Sequence, residues 1–328
     1  MYIVTGAAGF IGSNIVAELE ARGMGPIVVV DWFGTGDKWR NIAKRRIAAY
    51  VRPEALSQYL ADLRVPVKAV IHMGAISATT EADVDQLVAL NINYSVMLWD
   101  WCAQNDVPFL YASSAATYGG IEQGFNDDES TEARAALRPL NAYGWSKKTT
   151  DDIFVERVAR GEKAPSQWVG LKFFNVYGPN EYHKDDMRSV ACKMFDAIQT
   201  TNVVKLFKSY RPDMADGEQR RDFVYVKDCL SLVMWFLSRP DISGIFNSGS
   251  GRARSFADIV RSMAAITGKA LEIEFIDMPE AIRGKYQYFT EADMTKVKRL
   301  GYAEPQISLE DGMRDYVENY LQHSDRYR

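Results

Sequence analysis

The segment TGAAGFIGSN (Thr5 to Asn14) sets Gly6, Gly9 and Gly12 in a G-x-x-G-x-x-G spacing, directly after an apolar run and directly before a helical one. A strand that turns through glycines into a helix narrows the possible folds sharply. Glycine permits the tight turn and lets backbone amides approach a ligand. The first turn of the helix adds free N–H groups and the positive end of its dipole. That combination suits a pyrophosphate and predicts a dinucleotide site. Asp31 lies 19 residues beyond Gly12, at the end of the next apolar run PIVVVD, where a carboxylate can bind ribose hydroxyls. A carboxylate there favours NAD. The basic run that follows (Lys38, Arg40, Lys44, Arg45, Arg46, with Arg52 close by) suits a solvated helix face, yet one or two of its cations can hold a 2′-phosphate. On balance we expect NADP rather than NAD.

The alternation of short apolar runs and helical stretches continues with KAVIHMGA (from Lys68), PFLYASS (from Pro108) and WVGLKFFNVYG (Trp168 to Gly178). It implies right-handed crossovers and a parallel sheet whose strands are covered on both faces. The expected fold is α/β: a doubly wound parallel sheet of the Rossmann type with a smaller C-terminal α/β substrate domain. We assign residues 1–176 to the dinucleotide-binding domain, with 222–247 returning to it, and 177–221 and 248–328 to the substrate-binding domain. Lys205 to Arg221 reads as a long polar loop.

With 43 acidic and 39 basic residues, the net charge is −4, which argues against a general nucleic-acid binder. The apolar runs are too short to span a bilayer. Cys102, Cys192 and Cys229 are far apart, and His72, His183 and His323 are scattered, so neither a disulfide framework nor a metal site is expected. Met1 leads straight into the first strand, and we expect a cytoplasmic enzyme acting on a small molecule, without a catalytic thiol.

Ser114 ends the run PFLYASS, where a parallel sheet presents groups to a ligand. Further on, NAYGWSKK places Tyr143 and Lys147 four apart, on one face of a helix. A tyrosine acting as a base near pH 7 needs its pKa lowered by about three units from ~10, or roughly 4 kcal/mol. A cation at ~5 Å in an effective dielectric of ~20 supplies about 3 kcal/mol. Lys147 alone is marginal, while Lys147 with a positive nicotinamide ring can suffice. Tyr-x-x-x-Lys also arises as a plain surface pair. Its weight here comes from the glycine turn and Ser114.

Together these features resemble the nucleotide-sugar epimerases of the extended short-chain dehydrogenase/reductase superfamily. The order YIVTGAAGFIGSNIV, DWFGTGDKW, IHMGAISATTE, FLYASSAATYGG, PLNAYGWSK, FFNVYGPNEYHK and RRDFVYVKD, running along nearly the whole chain, is similar to the ADP-glycero-manno-heptose 6-epimerase family. The resemblance implies two acid/base groups, Tyr143 and Lys184, with Ser114 and Lys147 beside them. To the cofactor contacts read from the glycine turn (Gly6, Gly9, Gly12), from Asp31 and from the basic run (Lys38, Arg52), it adds Phe10, Ile11, Trp32, Met73, Gly74, Ala75, Ile76, Ser77, Asn91, Lys147, Val176 and Lys184. It implies substrate contacts from Ser114, Asn175, Phe207, Arg221 and Tyr286, and from Asp186 and Lys193 where the chain departs from the family pattern. Further departures are Met73 in place of Glu, Ile76 in place of Cys, Asp185-Asp186 in place of Gly-Ser, and a longer loop from Ser209 to Arg220. A homo-oligomer and a role in lipopolysaccharide core precursor synthesis are also implied.

Lys184 has a physical case of its own. Inverting a carbinol through a ketone removes hydride from one face and returns it to the other, so the hydroxyl visits two positions and a base near each is useful. An exposed lysine in a polar loop is the plain alternative. A dehydratase would place an acid after Ser114, where Ala115-Ala116-Thr117 stand. UDP-galactose 4-epimerase and a non-catalytic dinucleotide sensor are the other readings. Arg221 can offer a planar fork to the diphosphate of a sugar nucleotide.

Overall fold

Runs of β-branched residues build the centre of the molecule. The structure, a computed structural model, describes residues 1–284 and 286–328, the side chains of Ala281 and Ile282 apart. Its first strands are β1 (Tyr2–Thr5), β2 (Ile27–Val30), β3 (Ala49–Val51), β4 (Ala69–His72), β5 (Phe109–Ser114) and β6 (Trp168–Phe173). They are followed by β7 (Asn175–Tyr177), β8 (Val203–Phe207), β9 (Arg220–Tyr225), β10 (Gly244–Ser248), β11 (Ala253–Ser255) and β12 (Glu272–Ile276). Among the described residues the largest sheet has seven strands in the order β10-β6-β5-β4-β1-β2-β3, and every pairing in it is parallel. β1 therefore lies between β2 and β4, at the point where the strand order reverses and ligands bind.

Alternate residues of each central strand enter different cores. Tyr2, Val4, Ile27, Val29 and Ile71 pack on one face. Ile3, Val28, Val30 and Val70 pack on the other. Both faces are covered, which is why these strands carry no polar alternation, and each buried Val or Ile contributes about 1.5–3 kcal/mol. Helix Phe10–Ala21 runs from the end of β1 with Phe10, Ile15, Val16 and Leu19 buried, and helix Ala142–Ala159 lies beside β5. Among the described residues no helix is long and apolar enough to cross a membrane.

Three local expectations are corrected. WVGLKFFNVYG is not one strand. The Phe174 amide donates to the Ser248 carbonyl at 3.1 Å, and beyond it β7 leaves the large sheet to pair in parallel with β9. Lys205 to Arg221 is not one loop. β8 and β9 occupy its ends, and β8 pairs with β12. Within 222–247, β9 joins β7 and β11 in a small sheet, whereas helix Val226–Leu237 packs on helix Phe10–Ala21 and β10 joins the large sheet. A separate core holds Ala191, Ile198, Val204, Phe223, Val260 and Leu309.

Candidate active site

The glycine turn opens into a cleft of about 580 Å³. Gly6 has φ +61°, and a Cβ on it would sit 2.5 Å from the Gly74 nitrogen. A Cβ on Gly12 would sit 2.1 Å from the Gly6 carbonyl oxygen. These two glycines are demanded by the protein's own packing. Gly9 differs: the nearest atom to its Cβ would be the Gly6 oxygen at 3.0 Å, so the space beyond it remains for a ligand. Helix Phe10–Ala21 begins there, its first-turn amides without intrahelical acceptors. The Asp31 carboxylate accepts from the amides of Ala8 (2.8 Å) and Trp32 (2.7 Å) and from Lys38 Nζ (2.6 Å). Amides without partners, room above Gly9 and a fixed carboxylate with a cation at the ribose end fit a nicotinamide dinucleotide.

A chain of hydrogen bonds sets the floor of the cleft. His72 Nδ1 lies 2.6 Å from Thr5 Oγ1, His72 Nε2 lies 2.9 Å from Ser95 Oγ, and Ser95 donates to the Asn91 carbonyl at 2.6 Å. Burial, with Lys147 nearby, pushes His72 down to about 3, so its imidazole is neutral. Asn91 faces away from the cleft. Its side chain accepts from the Ile76 amide and donates to the Ile76 carbonyl and to Ser146 Oγ. Asn91 thus holds the Met73–Ser77 segment against the Tyr143 helix, with both amide hydrogens engaged there.

Asn141 caps helix Ala142–Ala159 by accepting from the Gly144 amide at 2.8 Å. Tyr143 in its first turn and Lys147 one turn on both line the cleft with Ser114. Burial raises the Tyr143 pKa above its ordinary value, with the Ser114 hydrogen bond opposing. Lys147 alone does not bring Tyr143 below its ordinary range. Lys147 Nζ donates to the Ala112 carbonyl at 2.7 Å, and burial lowers its own pKa to about 8 against the pull of Asp151. Asp151, a further turn along, accepts from Tyr111 (2.9 Å) and Ser113 (2.7 Å) and pairs with Lys172 at 3.2 Å. This buried network ties β5 and β6 to the helix.

Lys184 reaches the same cleft from the segment after β7, its Nζ 5.6 Å from the centre of the Phe10 ring. Burial lowers its pKa, and Glu181 opposes the shift. The neighbouring His183 also lines the cleft, 3.1 Å from the Asn41 side-chain amide.

Phe10, Ile11, Trp32, Lys38, Met73, Gly74, Ala75, Ile76, Ser77 and Val176 line this cleft as the motifs suggested. Arg52 does not. Its side chain is 76% exposed and pairs with Glu54. Asn175 and Asp186 are exposed and off the cleft wall, and Lys193 sits on helix Val190–Thr200 beyond it. Phe207, Arg221 and Tyr286 form a separate cluster, with the Arg221 guanidinium 5.0 Å from the Tyr286 ring centre and the Phe207 and Tyr286 rings edge to face at 6.3 Å. Thr5, Tyr94, Phe173, Phe174, His183 and Met187 line the cleft without having been singled out. His183 had a signal, its place next to Lys184. Tyr94 had only its helical spacing from Leu90.

The fold and this cleft define a class of Rossmann-type dinucleotide-dependent enzymes, and the chain belongs to the NAD dependent epimerase/dehydratase family, whose model matches residues 2–249. It is 48% identical to the ADP-L-glycero-D-manno-heptose-6-epimerase of Nitratidesulfovibrio vulgaris (strain DP4), with 100% of each chain covered. Its structure is similar to that of the Helicobacter pylori ADP-L-glycero-D-manno-heptose-6-epimerase, with a TM-score of 0.79 at 26% identity over 97% of this chain and 95% of that one. It is also similar to MoeE5 in complex with UDP-glucuronic acid and NAD, with a TM-score of 0.76 at 26% identity over 97% of each chain.

Proposed function

We propose that this protein inverts C6 of the heptose in an ADP-glycero-manno-heptose through a ketone, using a tightly held nicotinamide dinucleotide. The observation that carries this is the meeting of Tyr143 and Lys184, from two separate segments, in the cleft that holds the glycine turn. The dinucleotide, when bound, supplies the acceptor and then the donor of one hydride. Inversion requires the sugar to present both faces, so its hydroxyl visits two positions. Tyr143, oriented by the Ser114 hydroxyl, holds or releases the proton at one. Lys184 does so at the other, its ammonium brought closer to the range of proton exchange by burial. Lys147 is fixed by the Ala112 carbonyl and adds positive charge beside the phenol.

The family name also covers dehydratases. Elimination of water would need an acid next to Ser114. Here Ala115 and Ala116 follow, and the buried Thr117 hydroxyl donates to the Ser114 carbonyl while accepting from Lys172. Full-length identity of 48% to a heptose 6-epimerase favours that sugar over a UDP-hexose.

NADP is the assigned cofactor form. Asp31 already accepts three hydrogen bonds, one from Lys38, which weakens its repulsion of a 2′-phosphate and leaves a cation beside it. Arg221 is assigned to the substrate diphosphate, with Phe207 and Tyr286 as further contacts. The substrate domain is residues 177–221 and 248–328. A cytoplasmic homo-oligomer serving lipopolysaccharide precursor synthesis completes the assignment. The test is turnover of ADP-D-glycero-D-manno-heptose followed by NMR. Tyr143→Phe and Lys184→Met should each lower it by ~10²-fold or more with dinucleotide still bound to the Tyr143→Phe protein. Near-normal turnover in Lys184→Met would return Lys184 to a non-catalytic place.

A further inference from the structure

The segment that carries Lys184 is joined to the dinucleotide helix by buried amides. Asn180, fully buried and at φ +73°, donates to Ser13 Oγ at 3.0 Å and to the Asn41 carbonyl at 3.3 Å. Asn14, one position along that helix, donates to the Pro179 carbonyl at 2.9 Å. Asn suits this place twice over, since it tolerates positive φ and its amide can donate and accept at once. Its acceptor oxygen takes the Arg328 amide at 2.9 Å. The C-terminal residues then strap the same two elements. Arg328 pairs with Glu18 on the helix at 2.6 Å, and the Tyr182 hydroxyl donates to the Arg326 carbonyl at 2.9 Å.

We propose that Asn180, locked by Arg328, is a positioning residue that registers Lys184 against the dinucleotide helix. This rests on the reading of Lys184 as the second acid/base group. Asn180 touches neither ligand in this scheme. It fixes how far Lys184 stands from the turn that holds the dinucleotide. Without its amide, the 179–184 segment keeps its chain path but loses its tie to Ser13 and Asn41, and Lys184 gains freedom.

The test uses the full-length protein with Asn180→Gly, which keeps the positive φ and removes the amide. Arg328→Ala, which keeps the backbone amide on Asn180 but frees the C-terminal strap from Glu18, is the second variant, should the first fold poorly. Amine acylation at pH 7.5, mapped by mass spectrometry, reads the labelling rates of Lys184 and Lys147 together. The expected result is a rise of roughly tenfold at Lys184 with Lys147 unchanged, as local opening would produce. In the turnover assay kcat should fall while dinucleotide affinity holds. The pH limb that Lys184→Met lacks should move upward as the ammonium regains solvent. An unchanged Lys184 rate, or an equal rise at both lysines, would overturn the proposal. The labelling comparison does not depend on turnover, so an unsubstituted protein inactive on ADP-heptose would count against the function alone.

Discussion

The Lys38 ammonium lies 2.6 Å from an Asp31 carboxylate oxygen at the ribose end of the cleft. One side chain favours a bare ribose and the other a phosphorylated one, and under the proposed NADP reading their pairing shifts the balance toward phosphate. Lys38→Ala is expected to weaken NADP about ten- to hundredfold, the scale of a charge-assisted hydrogen bond of ~1.5–3 kcal/mol. NAD should lose several-fold less. Calorimetric titration of dinucleotide-free protein checks this, and tighter binding of NAD by the unsubstituted protein would reverse the assignment.

Gly9 and Gly12 should fail differently when given a side chain. Gly9→Val is expected to fold and to lose the dinucleotide, because the space beyond Gly9 belongs to the ligand. Gly12→Ala should destabilise the fold itself, since its Cβ would press on the Gly6 carbonyl at 2.1 Å. Thermal melts paired with mass spectrometry of released dinucleotide separate the two. Stoichiometric dinucleotide in folded Gly9→Val would count against the site.

Lys147 makes the fold's stability depend on pH. Its folded pKa of about 8 lies below the unfolded value near 10.4, so the folded state binds fewer protons between them. Stability attributable to this group therefore rises with pH across that window. Lys147→Met removes both the hydrogen bond to the Ala112 carbonyl and this dependence. Its melting temperature relative to the unsubstituted protein should thus be more favourable at pH 7 than at pH 10. A difference that is flat with pH would contradict the lowered pKa.

Asp151 and Lys172 are both buried, so removing one partner strands a charge. Lys172→Met is expected to cost about 3–5 kcal/mol in chemical denaturation. Adding Asp151→Asn should restore part of that loss, and a strictly additive double variant would show that the pair is not coupled.

What the sequence made legible was local. The glycine turn, Asp31 and the Tyr143–Lys147 spacing each lie within one strand–helix unit, where spacing translates directly into geometry. WVGLKFFNVYG misled because an apolar run continues through Phe174, and the departure of β7 depends on the distant partners Ser248 and β9. Asn91 is implied as a cofactor contact only by the family resemblance, and its engagement with Ile76 and Ser146 depends on the fold. The Asp151–Lys172 pair and the Arg328–Asn180 strap join side chains that no sequence spacing relates. Tyr286 is implied only by the family resemblance, and only the fold shows its ring packed on the Arg221 guanidinium.

The central claim is direct oxidation and reduction at C6, with protons handled by Tyr143 and Lys184. Hydroxyl protons exchange with solvent, but the carbon-bound hydrogen leaves and returns as hydride without meeting water. Turnover of ADP-D-glycero-D-manno-heptose in heavy water, with the product examined by NMR and mass spectrometry, tests this most directly. The expected product is the C6 epimer with no carbon-bound deuterium. Deuterium appearing on carbon in step with turnover would contradict direct oxidation at C6 and point to proton loss at a carbon next to a ketone.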